Sequence, residues 1–120
     1  MSDISQRLVG AYLAMEYAQL KLITKNTTIM DMIEAIHYVR VAQTNIYFYY
    51  ENSQNKLPIL KSLINAIDNA TSDVENVIYK GEKVDTDKLA IAFEKALKGF
   101  NEVIKDEITK INHDLITQSG

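Results

Sequence analysis

Cysteine is missing altogether, which removes disulfide scaffolds, thiolate metal sites and cysteine nucleophiles together. Proline occurs once and glycine four times in 120 residues. So few turn formers argue against a strand-and-turn-rich sandwich, a collagen-like repeat and a disordered tail. Positive charge is not in excess either. Thirteen Lys and Arg stand against sixteen Asp and Glu, a formal charge of −3, so nothing in the overall balance favours phosphates and no nucleic acid is expected as a main partner. Long hydrophobic runs are absent too. The densest, Ile46-Tyr47-Phe48-Tyr49-Tyr50, falls far short of the roughly 18 to 20 residues that span a bilayer. The opening Met-Ser-Asp-Ile-Ser-Gln-Arg lacks the basic region, apolar block and cleavage site of a secretory leader. The expectation is a cytoplasmic protein with no membrane partner and no cofactor.

What is present is helical periodicity. From about Asp3 to Ile23, the residues Ile4, Leu8, Ala11, Met15, Ala18 and Leu22 recur at alternating spacings of four and three, the signature of a helix seam. The polar stretch Thr24-Lys25-Asn26-Thr27-Thr28 follows, and Thr27 or Thr28 can cap a second helix from Ile29 to Glu51. Asn52-Ser53-Gln54-Asn55 breaks that pattern. Pro58 suits the first turn of a third helix, where its missing N–H costs nothing. Its apolar side is Ile59, Leu63, Ala66, Ile67, Ala70, Val74, Val77 and Ile78, ending near Tyr79. Lys80-Gly81-Glu82-Lys83 supplies a glycine stop, and Asp85 or Thr86 a cap for the fourth helix. That helix carries Leu89, Phe93, Ala96, Leu97, Phe100, Ile104, Ile111 and Leu115 in one stripe. Gly99 inside it either weakens the helix by about 1 kcal/mol relative to Ala or permits a close helix approach. Short links make sequential helices antiparallel, so the fold expected is an all-α, up-down-up-down four-helix bundle, with residues 1–120 forming one domain.

The four helices differ in how they distribute apolar residues. The third and fourth are amphipathic, with Asn65, Asp68, Asn69, Ser72, Asp73, Asn76, Lys88, Lys95, Lys98 and Lys105 away from the stripes. Helix one has a second apolar row, Val9, Leu13, Leu20 and Ile23. Helix two has a seam of Met32, Ala35, Ile36, Val39, Ala42, Ile46 and Tyr50, and opposite it a second row, Met30, Ile33, Val41 and Phe48. A helix in a lone bundle needs one buried stripe. Two opposed rows call for a second partner, and the simplest is another copy of the same surface. A homodimer through helix one or two is therefore expected, with Met30, Ile33, His37, Val41 and Phe48 at the contact and Tyr47 and Tyr49 beside it. The role that fits is a non-enzymatic interaction or regulatory module.

The alternative is a carboxylate bundle that binds a metal or small ligand. Glu34-Ala-Ile-His37 reads Glu-x-x-His, the helical pair used in ferritin-like sites, and antiparallel counting brings Glu16, Glu75 and Glu94 near the same level. Direction weakens it, because Glu34 and His37 lie opposite the main seam and the other histidine, His113, has Lys110 three residues before it. Glu16, Glu34 and His37 are the candidate ligands. Arg40 shares a side with His37 and Thr44, where a solvated or interface salt bridge is favoured over an anion site. Glu107 falls within the apolar stripe of helix four, so it needs a Lys, Arg or Tyr partner or solvent at the bundle end. The cluster Tyr47-Phe48-Tyr49-Tyr50 is read first as packing the end of the bundle, next as an interface hot spot and last as a stacking wall for a planar ligand. Gly-rich phosphate loops, Gly-x-Ser-x-Gly elbows and His-Glu-x-x-His motifs do not occur.

Overall fold

A computed structural model describes residues 3–23, 26–81, 83 and 85–119, with side chains between 5 and 112. Four helices follow one another: α1 (Asp3–Leu22), α2 (Ile29–Asn52), α3 (Pro58–Tyr79) and α4 (Thr86–Ser119). Sequential helices pack side by side and α1 closes on α4, giving an antiparallel up-down bundle of 56 × 24 × 19 Å. Among the described residues there is no strand, and no helix is long and apolar enough to cross a membrane.

The helix ends follow from local chemistry. Thr28 caps α2 by accepting from the Asp31 amide at 3.1 Å, while Asp31 accepts from the Thr28 amide at 3.0 Å. This reciprocal box holds the Asp31 carboxyl below its ordinary range, through the Thr28 backbone first and its hydroxyl second. The Ser53 hydroxyl ends the helix by donating to the Tyr50 carbonyl at 3.0 Å, so α2 runs one residue beyond Glu51. Pro58 occupies the first turn of α3. At the far end Gly81, at φ 64°, takes the left-handed conformation that stops a helix. Between the two cap candidates for α4, Asp85 is the one used: it accepts from the amides of Asp87 and Lys88 at 3.1 and 3.3 Å.

The core is built from one stripe per helix. Leu8, Ala11, Met15, Ala18 and Leu22 of α1 are buried, as are Met32, Ala35, Ile36, Val39, Ala42 and Ile46 of α2. Tyr50 is half-buried against them. On α3 Leu63, Ile67 and Val74 of the expected stripe are buried, but at its start Ile59 is exposed and Leu60 is fully buried in its place. Leu60 shares its face with Leu63, Ile67 and Thr71, and Thr71 is also fully buried, its hydroxyl donating to the Ile67 carbonyl at 2.6 Å. That internal bond satisfies a group that would otherwise be costly to bury. Ile4, His113 and Leu115 lie outside the described side chains, and Thr24, Lys25 and Glu82 lie outside the described residues.

Gly99 does not serve a close approach, since a Cβ built there meets nothing within 4 Å. Only its helix penalty remains. Gly99→Ala is therefore expected to stabilise the protein by about 1 kcal/mol, raising the thermal midpoint by roughly 4 °C in a calorimetric or circular-dichroism melt. A lowered midpoint would reveal a contact at that face.

Candidate functional site

The outer surfaces of the helix pairs are unlike. Those of α3 and α4 carry Asn65, Asp68, Asn69, Asp73, Asn76, Lys88, Lys95, Lys98, Glu102, Lys105 and Asp106, all exposed. Large apolar groups there are scattered, as at Ile59, Tyr79 and Ile91. On α1 and α2 the large exposed groups gather instead: Leu13 49%, Tyr17 56%, Leu20 57%, Met30 61%, Val41 40% and Phe48 41%. Turning roughly 100° per residue, Met30, His37, Val41 and Phe48 fall within one narrow arc of α2, and Leu13, Tyr17 and Leu20 within one of α1.

Contacts between the two helices make these arcs adjacent. The Arg7 guanidinium lies 4.3 Å from the Phe48 ring centroid, and its Nη1 donates to Asn45 Oδ1 at 3.3 Å. Tyr17 stacks on Tyr38 with ring centroids 5.6 Å apart. Lys21 Nζ meets Glu34 Oε2 at 2.8 Å, an ion pair that raises the Lys21 pKa. The three contacts run down one antiparallel seam, with Leu13 and Val41 facing outward on either side of it. The result is two outward apolar arcs on neighbouring helices, joined along a seam that holds Tyr17, Tyr38 and Phe48.

Of the seven contact residues expected from the sequence, Met30, His37, Val41, Phe48 and Tyr47 are exposed. Tyr47 points about 100° round from Phe48, off the shared arc. Ile33 and Tyr49 are half-buried, and Tyr49 packs against the core. Burial, and then the nearby Glu107 carboxylate, push the Tyr49 hydroxyl above its usual pKa. Tyr17 was not anticipated. Leu13 and Leu20 were visible as a second row on α1 but were not singled out as site residues, although their spacing of seven already marked them.

The metal candidates do not assemble. Glu34 is held by Lys21, and exposed Glu16 accepts a hydrogen bond from the Tyr12 hydroxyl, which raises the Tyr12 pKa. His37 meets the Tyr38 ring edgewise, with centroids 6.1 Å apart. Among the described residues no three His, Cys, Asp or Glu side chains form a group that could hold a metal ion. The other two carboxylates at that level are engaged as well: Glu94 accepts from Gln19 at 3.5 Å, and Glu75 pairs with Arg40. Compared with protein-family models, curated proteins and solved structures, the chain matches none.

Arg40 turns away from His37 and Thr44 toward α3. Its Nη1 donates to Asp68 at 2.7 Å and to Gln43 at 2.8 Å, while Nη2 reaches Glu75 and, at 3.5 Å, Ser72. The Thr44 hydroxyl donates to the Arg40 carbonyl at 3.0 Å. An anion site is therefore replaced by a clamp between α2 and α3, the salt bridge expected here being intramolecular. Glu107 is 4% exposed and pairs with Lys110 at 3.2 Å, the lysine reaching in from a solvated position. A cleft of about 580 Å³ opens between Leu22, Ile23, Thr27, Asp87, Ile91 and Glu94. Among the described residues its charged groups are both acidic, and Thr27 supplies a hydroxyl.

The Arg40 clamp has a pH signature. The hydrogen bond from Arg40, followed by that from Gln43, holds the Asp68 carboxyl below its ordinary range. A depressed folded-state pKa contributes stability that is full above the unfolded value near 4 and is lost as pH falls through the folded value. Arg40→Ala is expected to lower the thermal midpoint by roughly 4 °C at pH 7. The gap from the parent protein should then close as pH is taken from about 5 to about 2, and a gap that stays constant over this range would contradict it.

Proposed function

We propose that this chain is a non-enzymatic helical interaction module that self-associates through the outer face of α1 and α2. One observation carries the reading: six large apolar side chains, Leu13, Tyr17, Leu20, Met30, Val41 and Phe48, stand 40 to 61% exposed on the outward arcs of two helices packed side by side, α1 and α2. Single exposed apolar residues need no explanation, but a contiguous patch on a small protein marks an interaction site. The composition of the patch suits that use. Aromatic residues, Met and Arg are enriched at interfaces, and here Phe48 with Arg7, Tyr17 with Tyr38, and Met30 supply all three.

Magnitudes set the expected strength. Covering the exposed half of each side chain is worth on the order of 1 kcal/mol, against an association cost of at least about 4 kcal/mol. A dissociation constant near micromolar, about −8 kcal/mol, is consistent with those terms. Partial exposure of the patch and a fully formed core in each copy favour a reversible dimer over an obligate one. The surface offers groups for contact, whereas the Glu16, Glu34 and His37 alternative has its acids engaged elsewhere.

Sedimentation equilibrium of the parent chain should show a monomer–dimer equilibrium. Val41→Glu, which would force a carboxylate into the contact, is expected to weaken it at least a hundredfold while leaving the helical circular-dichroism signal intact. Ile91→Glu on α4 should leave association unchanged. A parent chain that is monomeric at millimolar concentration would overturn the proposal.

A further inference from the structure

We infer that the second copy docks antiparallel, α2 against α2 and α1 against α1, about a two-fold axis crossing the helices at the level of Val39 and of Glu16–Tyr17. The inference rests on the self-association proposed above and specifies its geometry.

The exposed row of α2 is symmetric about its own centre. Met30 and Phe48 lie nine residues either side of Val39, and His37 and Val41 lie two residues either side. A two-fold axis across the helix at that level sets Met30 of one copy on Phe48 of the other and His37 on Val41, each contact occurring twice, as an isologous interface requires. The α1 row is centred as well, with Leu13 and Leu20 three or four residues from Glu16 and Tyr17. The two centres were free to lie at different heights. The contacts of Arg7 with Phe48, Tyr17 with Tyr38, and Lys21 with Glu34 fix the register of α1 on α2, and that register places Glu16 opposite Val39. One axis therefore brings both rows into self-contact at once.

The other two-fold arrangement, with the axis along the helices and α1 over α2, is disfavoured by charge. It would set the Arg7–Phe48 end of one copy against the same end of the other and crowd two guanidinium groups. In the antiparallel arrangement the two Arg7 groups stand about 27 Å apart at helical rise, beyond a Debye length of roughly 8 Å. The Glu16 carboxylates do approach their mates near the axis. They lie at the rim toward α4, where Lys98, Glu102 and Lys105 line the same groove and the two lysines supply the opposing charge. The face is about 30 Å long and two helices wide, a footprint on the order of 600 Å² per copy. That lies near the lower bound for a specific interface, as befits a reversible dimer.

The absence of cysteine makes the geometry directly testable by disulfide cross-linking of single variants. Met30→Cys and Phe48→Cys, mixed and mildly oxidised, should give a covalent dimer joining one of each, whereas either variant alone should not, its thiols being about 27 Å apart. Leu13→Cys mixed with Leu20→Cys supplies an independent pair on α1. Met30→Cys dimers formed alone, or a sedimenting dimer in which neither mixture cross-links, would overturn the antiparallel geometry while leaving self-association standing. A parent chain that sediments only as monomer would remove both.

Discussion

A helix in a four-helix bundle has room for one stripe in the core, and α1 and α2 each carry two. Everything distinctive about this molecule follows from that mismatch. The inner stripes set small residues, Ala11, Ala14 and Ala18 on α1 and Ala35 and Ala42 on α2, between larger ones such as Leu8, Met15, Met32 and Ile46, all buried. Small side chains let two helices approach closely, and this pair is the most intimate in the bundle. A second set of bulky groups stands outside, at Leu13, Leu20, Met30, Val41 and Phe48. Such a surface is costly for an isolated molecule in water and is relieved by covering it.

Polar contacts set the orientation of the helices. Arg40 reaches three side chains on α3, so α2 is held on its other flank by a network of charge-assisted bonds. The Lys21–Glu34 pair and the Arg7–Phe48 contact rim the apolar face at opposite ends. Among the described residues Glu107 is the one carboxylate taken into the core, and it retains Lys110 as a partner. Removing that partner would leave a buried charge uncompensated, which costs far more than the pair itself gains.

Helix boundaries were legible to within a residue, because Thr28, Pro58, Gly81 and Asp85 are local signals whose effect does not depend on the rest of the chain. The stripes of α1 and α2 were legible for the same reason. On α3 the apolar spacing pointed to Ile59, whereas the buried face runs through Leu60 and the polar Thr71. Only the hydroxyl bond to Ile67 makes Thr71 a core residue, and that bond is a property of the folded helix. The target of Arg40 was hidden because periodicity fixes which face a side chain leaves from and says nothing about which neighbour stands there. Tyr17 escaped notice because its value lies in stacking on Tyr38, a pairing that exists only once the register of α1 on α2 is set. Whether Glu16 joins Glu34 and His37 in one group depended on the same register, and among the described residues no such group forms.

The central claim is that the α1–α2 face is covered by another molecule of the same chain in solution. Methionine oxidation by peroxide reads this directly, because Met30 is 61% exposed in the single chain while Met15 and Met32 are fully buried. With the chain raised from nanomolar to millimolar concentration at one oxidant concentration, in excess throughout, sulfoxide formation at Met30 should slow markedly. Labelling of Tyr79 and Ile91 by hydroxyl radicals, far from the face, should keep its rate. A Met30 oxidation rate that is the same at both ends of that range would contradict the account.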